Sequence, residues 1–213
     1  WCRITQDADI ISLSLGGDPG SGMSSLQSET VAAVNEALDA GIFVVAAAGN
    51  NGMKAGVNDV SIPANIPGVI AVGASTSNGG VWLNSSVGAS IDPYSGEERS
   101  FPNQKPEVRA PGVKMFSTAS TDIQPPYAYS TGTSDSTVIV VGALSIILEI
   151  HGEEMRGEDG VFDAGEMEQV KRALATSSLI SQEEDASHHN KRGYGVLDAV
   201  EWLNQVEFEF NIT

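Results

Sequence analysis

A chain of 213 residues, with 41% apolar residues and 23 glycines, is long enough for one α/β domain with a substantial core, or for two small ones. Its formal charge of −17, from 28 acidic against 11 basic residues and heaviest in the C-terminal third, disfavours nucleic-acid binding, because phosphate contacts need clustered Lys and Arg. A single cysteine, Cys2, excludes an internal disulfide, and the longest apolar run, Val138 to Leu148, is too short and too interrupted by Gly142 and Ser145 to span a bilayer. The acidity reads first as a well-solvated surface, with adaptation to high salt or calcium sites as the other readings.

From the N-terminus, Ala8 to Leu15 is a short apolar run closed by Gly16-Gly17, which predicts a strand ending in a turn. Ser24 with Gln27 forms a capping-box pattern and opens a helix with Val31, Val34, Ala37 and Leu38 on its apolar face, stopped by Gly41. Ile42 to Ala48 is apolar without a break, the mark of a parallel strand covered on both faces, and Gly49-Asn50-Asn51-Gly52 ends it. A third strand, Val69 to Ala74, follows a turn containing Pro63 and Pro67. Strand, helix and strand with short connections predict a right-handed βαβ unit, whose binding residues sit beyond the C-terminal strand ends. Residues 76 to 130 are turn-rich, with weaker strands near Val81 to Leu83 and Val113 to Ser117; Lys105 to Gly112, charged and bounded by prolines, reads as a structural turn. A long helix is predicted from about Thr133 to His151, a second from the Asp163/Glu166 capping box to about Thr176, and a last from about Leu197 to Asn204. With no internal repeat, one domain over 1–213 is the simplest organisation, with its core at about 7–204 and acidic helices over about 149–213.

The chemistry is concentrated in Gly132-Thr133-Ser134. This places a serine at the start of an apolar helix, where the hydroxyl is exposed and the helix dipole is positive. A serine nucleophile needs a base. His151 lies on the same predicted helix, about 25 Å along its axis, and His188 and His189 sit in a polar stretch that reads as solvated loop.

Three blocks in order, Ile11-Ser12-Leu13-Ser14-Leu15-Gly16-Gly17, Val44-Val45-Ala46-Ala47-Ala48-Gly49-Asn50 and Gly132-Thr133-Ser134, resemble the C-terminal two-thirds of a subtilisin-like serine protease domain. Ile62-Pro63-Ala64-Asn65, Lys105 to Gly112 and Tyr194 to Ala199 add to the likeness, which runs from about Asp7 to Trp202. The resemblance implies a three-layer α/β fold with a mainly parallel central sheet, its N-terminal part missing. It gives Ser134 the nucleophile's place and Asn50 that of the oxyanion-hole amide. It makes the edges Ser14, Leu15, Gly16, Gly17, Ala48 and Gly49 the cleft for an extended protein or peptide substrate.

The family supplies its Asp and His from segments preceding the first block, and the start on Trp1 rather than Met reads as a processed or truncated chain. The expected partner is therefore the missing N-terminal segment of the same protease domain, and the isolated chain is expected to show essentially no triad chemistry. No cofactor is required. The resemblance allows a structural calcium held by backbone carbonyls near Ala64 to Val69, whereas Glu158 to Glu166 only resembles half of an EF-hand loop, because Met155 and Gly157 fall at its first ligand positions. The family also implies secretion. After Ser134, members usually carry a small or apolar residue, then Ala, then Pro-His; here Asp135-Ser136-Thr137-Val138-Ile139 follows. Asp135 reads either as a favourable first-turn acid or as a change that disfavours the oxyanion, and with it the sequence also fits a catalytically degenerate member acting as a peptide-binding or structural module.

Overall fold

The structure, a computed structural model, describes residues 8–18, 25–120, 122, 124–158, 160–178 and 187–212. Its centre is a four-stranded sheet of β1 (Ile10–Leu13), β2 (Phe43–Ala47), β3 (Ile70–Ser75) and β4 (Val108–Pro111), ordered β1-β2-β3-β4 and parallel throughout. The register pairs Ile11 with Val44, Ala46 with Ala71 and Ala74 with Ala110. β2 is buried at all five positions, as its unbroken apolar run predicts. Side chains alternate across a strand, so Phe43 and Val45 enter one apolar cluster while Val44 and Ala46 enter the other. The second cluster lies under α1 (Ser25–Asp39), which contributes Val34 and Ala37. The first lies under α2 (Thr133–Met155), α3 (Ala164–Ser177) and α4 (Ala199–Glu209). Sheet between two helical layers is the three-layer α/β architecture expected, each fully buried aliphatic side chain contributing about 1.5–3 kcal/mol.

Gly41 ends α1 at φ +75°, and a Cβ there would lie 2.5 Å from the Phe162 carbonyl, so both conformation and space require glycine. Asp163 and Glu166 form the predicted capping box of α3. Asp198 caps α4 by accepting from the N–H groups of Val200 and Glu201. Between α3 and α4, the fully buried Trp202 donates its indole N–H to the Val170 carbonyl at 3.1 Å.

Several expectations are corrected. Val81 to Leu83 is no strand; only Val81 makes an isolated bridge, to Ser75. Lys105 to Gly112 contains β4 rather than a turn, because its charges are buried in specific partnerships instead of facing water, with Lys105 and Glu107 both 1% exposed. The outer edge of β4 is covered: Arg109 takes an N–H···O bond to Gly195 and accepts one from Leu197. Tyr127–Ser130 forms β6, antiparallel to β5 (Met115–Thr118), a short antiparallel pair within the turn-rich stretch. α2 runs on to Met155, and α4 is shifted toward the C-terminus. Ser24 and Asp159 lie outside the described residues.

α2 is also the one helix among the described residues long and apolar enough to cross a membrane by length and composition. Its inner face, with Val140, Leu144 and Ile147, packs against the sheet. Its outer face exposes Val138, Ile146 and Ile150, and β1, at the sheet edge, is only half-buried.

At the far end of α2, His151 bridges to α4: Nδ1 lies 2.7 Å from Glu154 and Nε2 lies 3.0 Å from Glu207. The hydrogen bond to Glu154, helped by that to Glu207, holds the imidazolium above the ordinary histidine value against the effect of burial. A folded-state value above the unfolded one means that this clamp stabilises fully below about pH 6.5 and is lost as pH rises through the folded value. The melting-temperature gap between wild type and His151→Gln is accordingly expected to narrow from about pH 5 to about pH 8. A gap that stays constant with pH would sink the idea.

Candidate active site

Three segments meet beyond the C-terminal ends of the parallel strands: residues 14–16 after β1, 49–51 after β2, and 132–134 at the start of α2. They line an open cleft of about 330 Å³ that includes Ser14, Leu15, Gly16, Gly49, Asn50 and Ser134. Ser61 forms its floor. A Cβ on Gly16 would come within 2.8 Å of the Ser61 Cβ, and one on Gly49 (φ +101°) within 2.2 Å of the Ser61 hydroxyl, so both glycines are needed for this close approach. A larger cavity of about 770 Å³ lies elsewhere, between the start of β1 and the C-terminal half of α2; its lining is mainly acidic (Asp9, Glu149, Glu153, Glu154), and the hydroxyl of its one serine, Ser145, donates to the Val141 carbonyl of its own helix.

The N-terminus of α2 is capped from across the cleft. Gly132 precedes the helix in extended backbone and supplies no side-chain cap. The first helical N–H, that of Thr133, instead donates to Asn50 Oδ1 at 3.1 Å. The Thr133 hydroxyl donates to the same oxygen at 3.0 Å and accepts from the Gly49 N–H at 3.1 Å. With Oδ1 taken twice, the remaining end of the Asn50 amide is its NH₂, a donor. A Cβ on Gly132 would lie 3.5 Å from Asn50 Nδ2 and 3.7 Å from the Ser134 backbone nitrogen, so the two donors flank one small space that only glycine leaves open. Two N–H groups converging at a helix N-terminus are equipped to bind a developing oxyanion.

Ser134 is half-exposed beside this space. Its hydroxyl lies 3.5 Å from the Ser14 carbonyl, and Ser14 Oγ donates to the Ser134 carbonyl at 3.3 Å. Behind it, the Gly132 N–H donates to the Gly112 carbonyl at 2.9 Å, fixing the turn to the end of β4. The residues that depart from the family pattern are satisfied internally: Ser136 donates to the Ala110 carbonyl at 2.8 Å and Thr137 to the Thr133 carbonyl at 2.7 Å. Asp135 accepts from the Ser130 hydroxyl at 2.9 Å, with Oδ2 3.7 Å from the same Gly132 Cβ position, which sets a carboxylate at the margin of the donor space.

Two expected cleft residues are not in it. Gly17 exchanges both main-chain bonds with Ile62, and Ala48 is fully buried, donating to Val72 and accepting from Ser61. Their backbones serve the fold and are closed to an added strand. Sequence reasoning missed Thr133 as the group orienting Asn50 and Ser61 as the floor. Thr133 adjoins Ser134, whereas nothing local marks Ser61.

The histidines are placed away from Ser134. His151 is on α2 at the other end, as expected. His188 is half-buried rather than solvated: its Nε2 lies 2.9 Å from the Pro106 carbonyl and its ring packs edge-on against Tyr194. Burial pushes it below the ordinary histidine value, against the Pro106 hydrogen bond. Pro106 precedes β4, at the opposite end of that strand from Gly112, so His188 is no base for Ser134. His189 closes a turn with Gly193.

A calcium at Ala64 to Val69 does not fit the residues present. The Pro67 and Val69 carbonyls already accept from the ammonium groups of Lys171 and Lys105. Among the described residues, no group of three or more His, Cys, Asp or Glu could hold a metal ion.

The sequence pattern of the subtilase family matches residues 2–196. The chain is 39% identical over 140 residues to Subtilisin DY of Bacillus licheniformis, an alignment covering 66% of this chain and 42% of that protein. It is 36% identical over 148 residues to Subtilisin E of Bacillus subtilis (strain 168), covering 70% of this chain and 32% of the relative. The structure superposes on that of Patellamide maturation protease PatA with a TM-score of 0.69 at 23% identity, covering 97% of this chain and 65% of the other. The chain thus spans less than half the length of these curated relatives.

Proposed function

The chain belongs to the subtilase family, and from that premise we propose that it forms the nucleophile-bearing part of a serine endopeptidase domain. Ser134 Oγ attacks the carbonyl of a peptide bond laid along residues 14–16, where an extended substrate adds by main-chain hydrogen bonding. The carbonyl oxygen moves into the space beside Gly132 and takes the Asn50 amide and the Ser134 N–H as donors. The base, and the carboxylate that orients it, come from a segment upstream in the same domain. That segment seats on the half-buried β1 edge and the outer apolar face of α2, where Val138, Ile146 and Ile150 stand exposed. Action outside the cell belongs to the same proposal and follows from the family.

The observation that carries this reading is the double engagement of Asn50 Oδ1 by Thr133, which leaves the amide's donor end beside the nucleophile. One observation favours a second reading, a degenerate member that binds peptide without cleaving it: the Asp135 carboxylate stands where negative charge would develop.

Hydrolysis of an unfolded protein substrate by the full-length protein tests both. The first reading expects cleavage that Ser134→Ala reduces to background, and an Asp135→Ala variant faster on the order of tenfold, equivalent to about 1.4 kcal/mol of barrier. If Ser134→Ala cleaves as fast as wild type, the nucleophile assignment fails. If neither wild type nor Asp135→Ala cleaves but the protein still raises the anisotropy of a labelled peptide, the second reading replaces the first.

A further inference from the structure

Behind β3, away from the cleft, four oxygens form a buried cage: the carbonyls of Pro67 and Val69, Asn103 Oδ1 and Glu107 Oε1. Two ammonium groups fill it. Lys105 Nζ lies 2.5 Å from Val69 O, 2.7 Å from Glu107 Oε1 and 3.4 Å from Pro67 O. Lys171 Nζ lies 2.6 Å from Pro67 O, 2.6 Å from Asn103 Oδ1, 2.8 Å from Glu107 Oε1 and 3.3 Å from Val69 O. Three of the four oxygens are therefore shared by both lysines. The other carboxylate oxygen, Glu107 Oε2, accepts from the Ala71 N–H at 2.8 Å, so the carboxylate is held to the sheet and fully used.

Such a cage of hard oxygen acceptors in the β2–β3 connection is the type of surrounding in which calcium is held, with 6–8 oxygens at about 2.3–2.6 Å. Here four oxygens converge, one of them from a carboxylate, and two lysine nitrogens already stand among them; burial, with Lys171 alongside, pushes the Lys105 ammonium down to about 7 against the pull of Glu107. The lysine side chains are 0% and 4% exposed against 1% for Glu107, and Pro67, Asn103 and Lys171 line a cavity of about 390 Å³ beside the cage. Three acceptors around Lys105 match the three N–H bonds of an ammonium. The lysines come from two further segments, Lys105 from the approach to β4 and Lys171 from α3, so the cage fastens three parts of the chain at one carboxylate. Breaking it from one side would strand a buried charge.

We propose that the side-chain nitrogens of Lys105 and Lys171 are the resident occupants of the cage at the β2–β3 connection, taking the place of the structural calcium that the family resemblance allows there, so that this chain binds no metal at that point. The fold is tied together at the cage by its own side chains, and chelation has nothing to remove from it.

Lysine acylation of the native full-length protein, read by mass spectrometry, tests this without any substitution. Lys54, with its side chain 58% exposed, is expected to be modified freely. Lys105 and Lys171 are expected to stay protected, to the same extent in EDTA and in calcium. Labelling of either lysine that changes when calcium is exchanged for EDTA overturns the proposal. A second arm removes the resident nitrogens. Lys105→Ala/Lys171→Ala, which empties the cage of both amines but keeps its oxygens and the Glu107 charge, is expected to gain a calcium-dependent rise in Tm larger than that of wild type. An equal or smaller response in the double variant also overturns the proposal, and where that variant does not fold, the acylation pattern decides alone.

Discussion

Under the proposed endopeptidase activity, Asn50→Ala is expected to lower kcat of the full-length protein by about 10²–10³ while leaving KM nearly unchanged, a magnitude carried over from the loss of one oxyanion donor in a subtilisin. The split follows from the geometry. The amide's NH₂ faces a space that a ground-state carbonyl does not fill, so its bond is made chiefly in the transition state. Asn50 also caps α2 through Oδ1, so alanine removes the acceptor for the Thr133 N–H and costs about 1 kcal/mol of stability as well. Asn50→Asp separates the two effects. It keeps an oxygen for Thr133 but puts a carboxylate where the donor stood, so it should melt close to wild type and be at least as inactive as alanine. Steady-state kinetics with melting curves on the three proteins are the check; a loss shared equally between kcat and KM would count against the oxyanion role.

Gly112→Ala is expected to damage the site from behind. A Cβ at Gly112 would lie 2.2 Å from the Ser136 hydroxyl, 2.7 Å from the Gly132 carbonyl and 3.0 Å from the Ala74 Cβ. The first contact is a short side chain at a fully buried position, its hydroxyl held by the Ala110 carbonyl, and the second is backbone of the turn that carries Ser134. Overpacking of this kind costs about 1–3 kcal/mol. The larger effect is on rate, because a displacement of about 1 Å at the reacting group costs on the order of 10²-fold. Adding Ser136→Ala removes the shortest contact but not the one with Gly132, so the double variant should regain stability without regaining activity. Full recovery of kcat/KM in the double variant would show that the turn at Gly132 had not moved.

Much of this was legible in the residues, and the rest was lost for identifiable reasons. β2 could be read because seven consecutive apolar residues leave no polar face, and both its faces are covered. β4 could not, since Lys105, Glu107 and Arg109 look solvent-bound until their partners, which come from distant segments, are known. That the Ser134 and Asn50 segments meet was legible because Gly49 beside Asn50 and Gly132 two residues before Ser134 are local marks of close approach. Gly17 and Ala48 lie in equally suggestive motifs, but their main-chain groups are consumed by Ile62, Val72 and Ser61, and hydrogen-bond partners far away in sequence leave no local trace. His188 looked solvated in a polar stretch, yet Tyr194 and Pro106 bury it.

The sheet order β1-β2-β3-β4 follows the order of the residues themselves, and α2 packs across all four strands. During synthesis each new strand therefore finds its neighbour already made, and no strand has to wait for a later one to intervene. The turn at Ser134 has neither its anchor, from the Gly132 N–H to the Gly112 carbonyl, nor the bond from Thr133 to Asn50 until α2 lies down on the sheet.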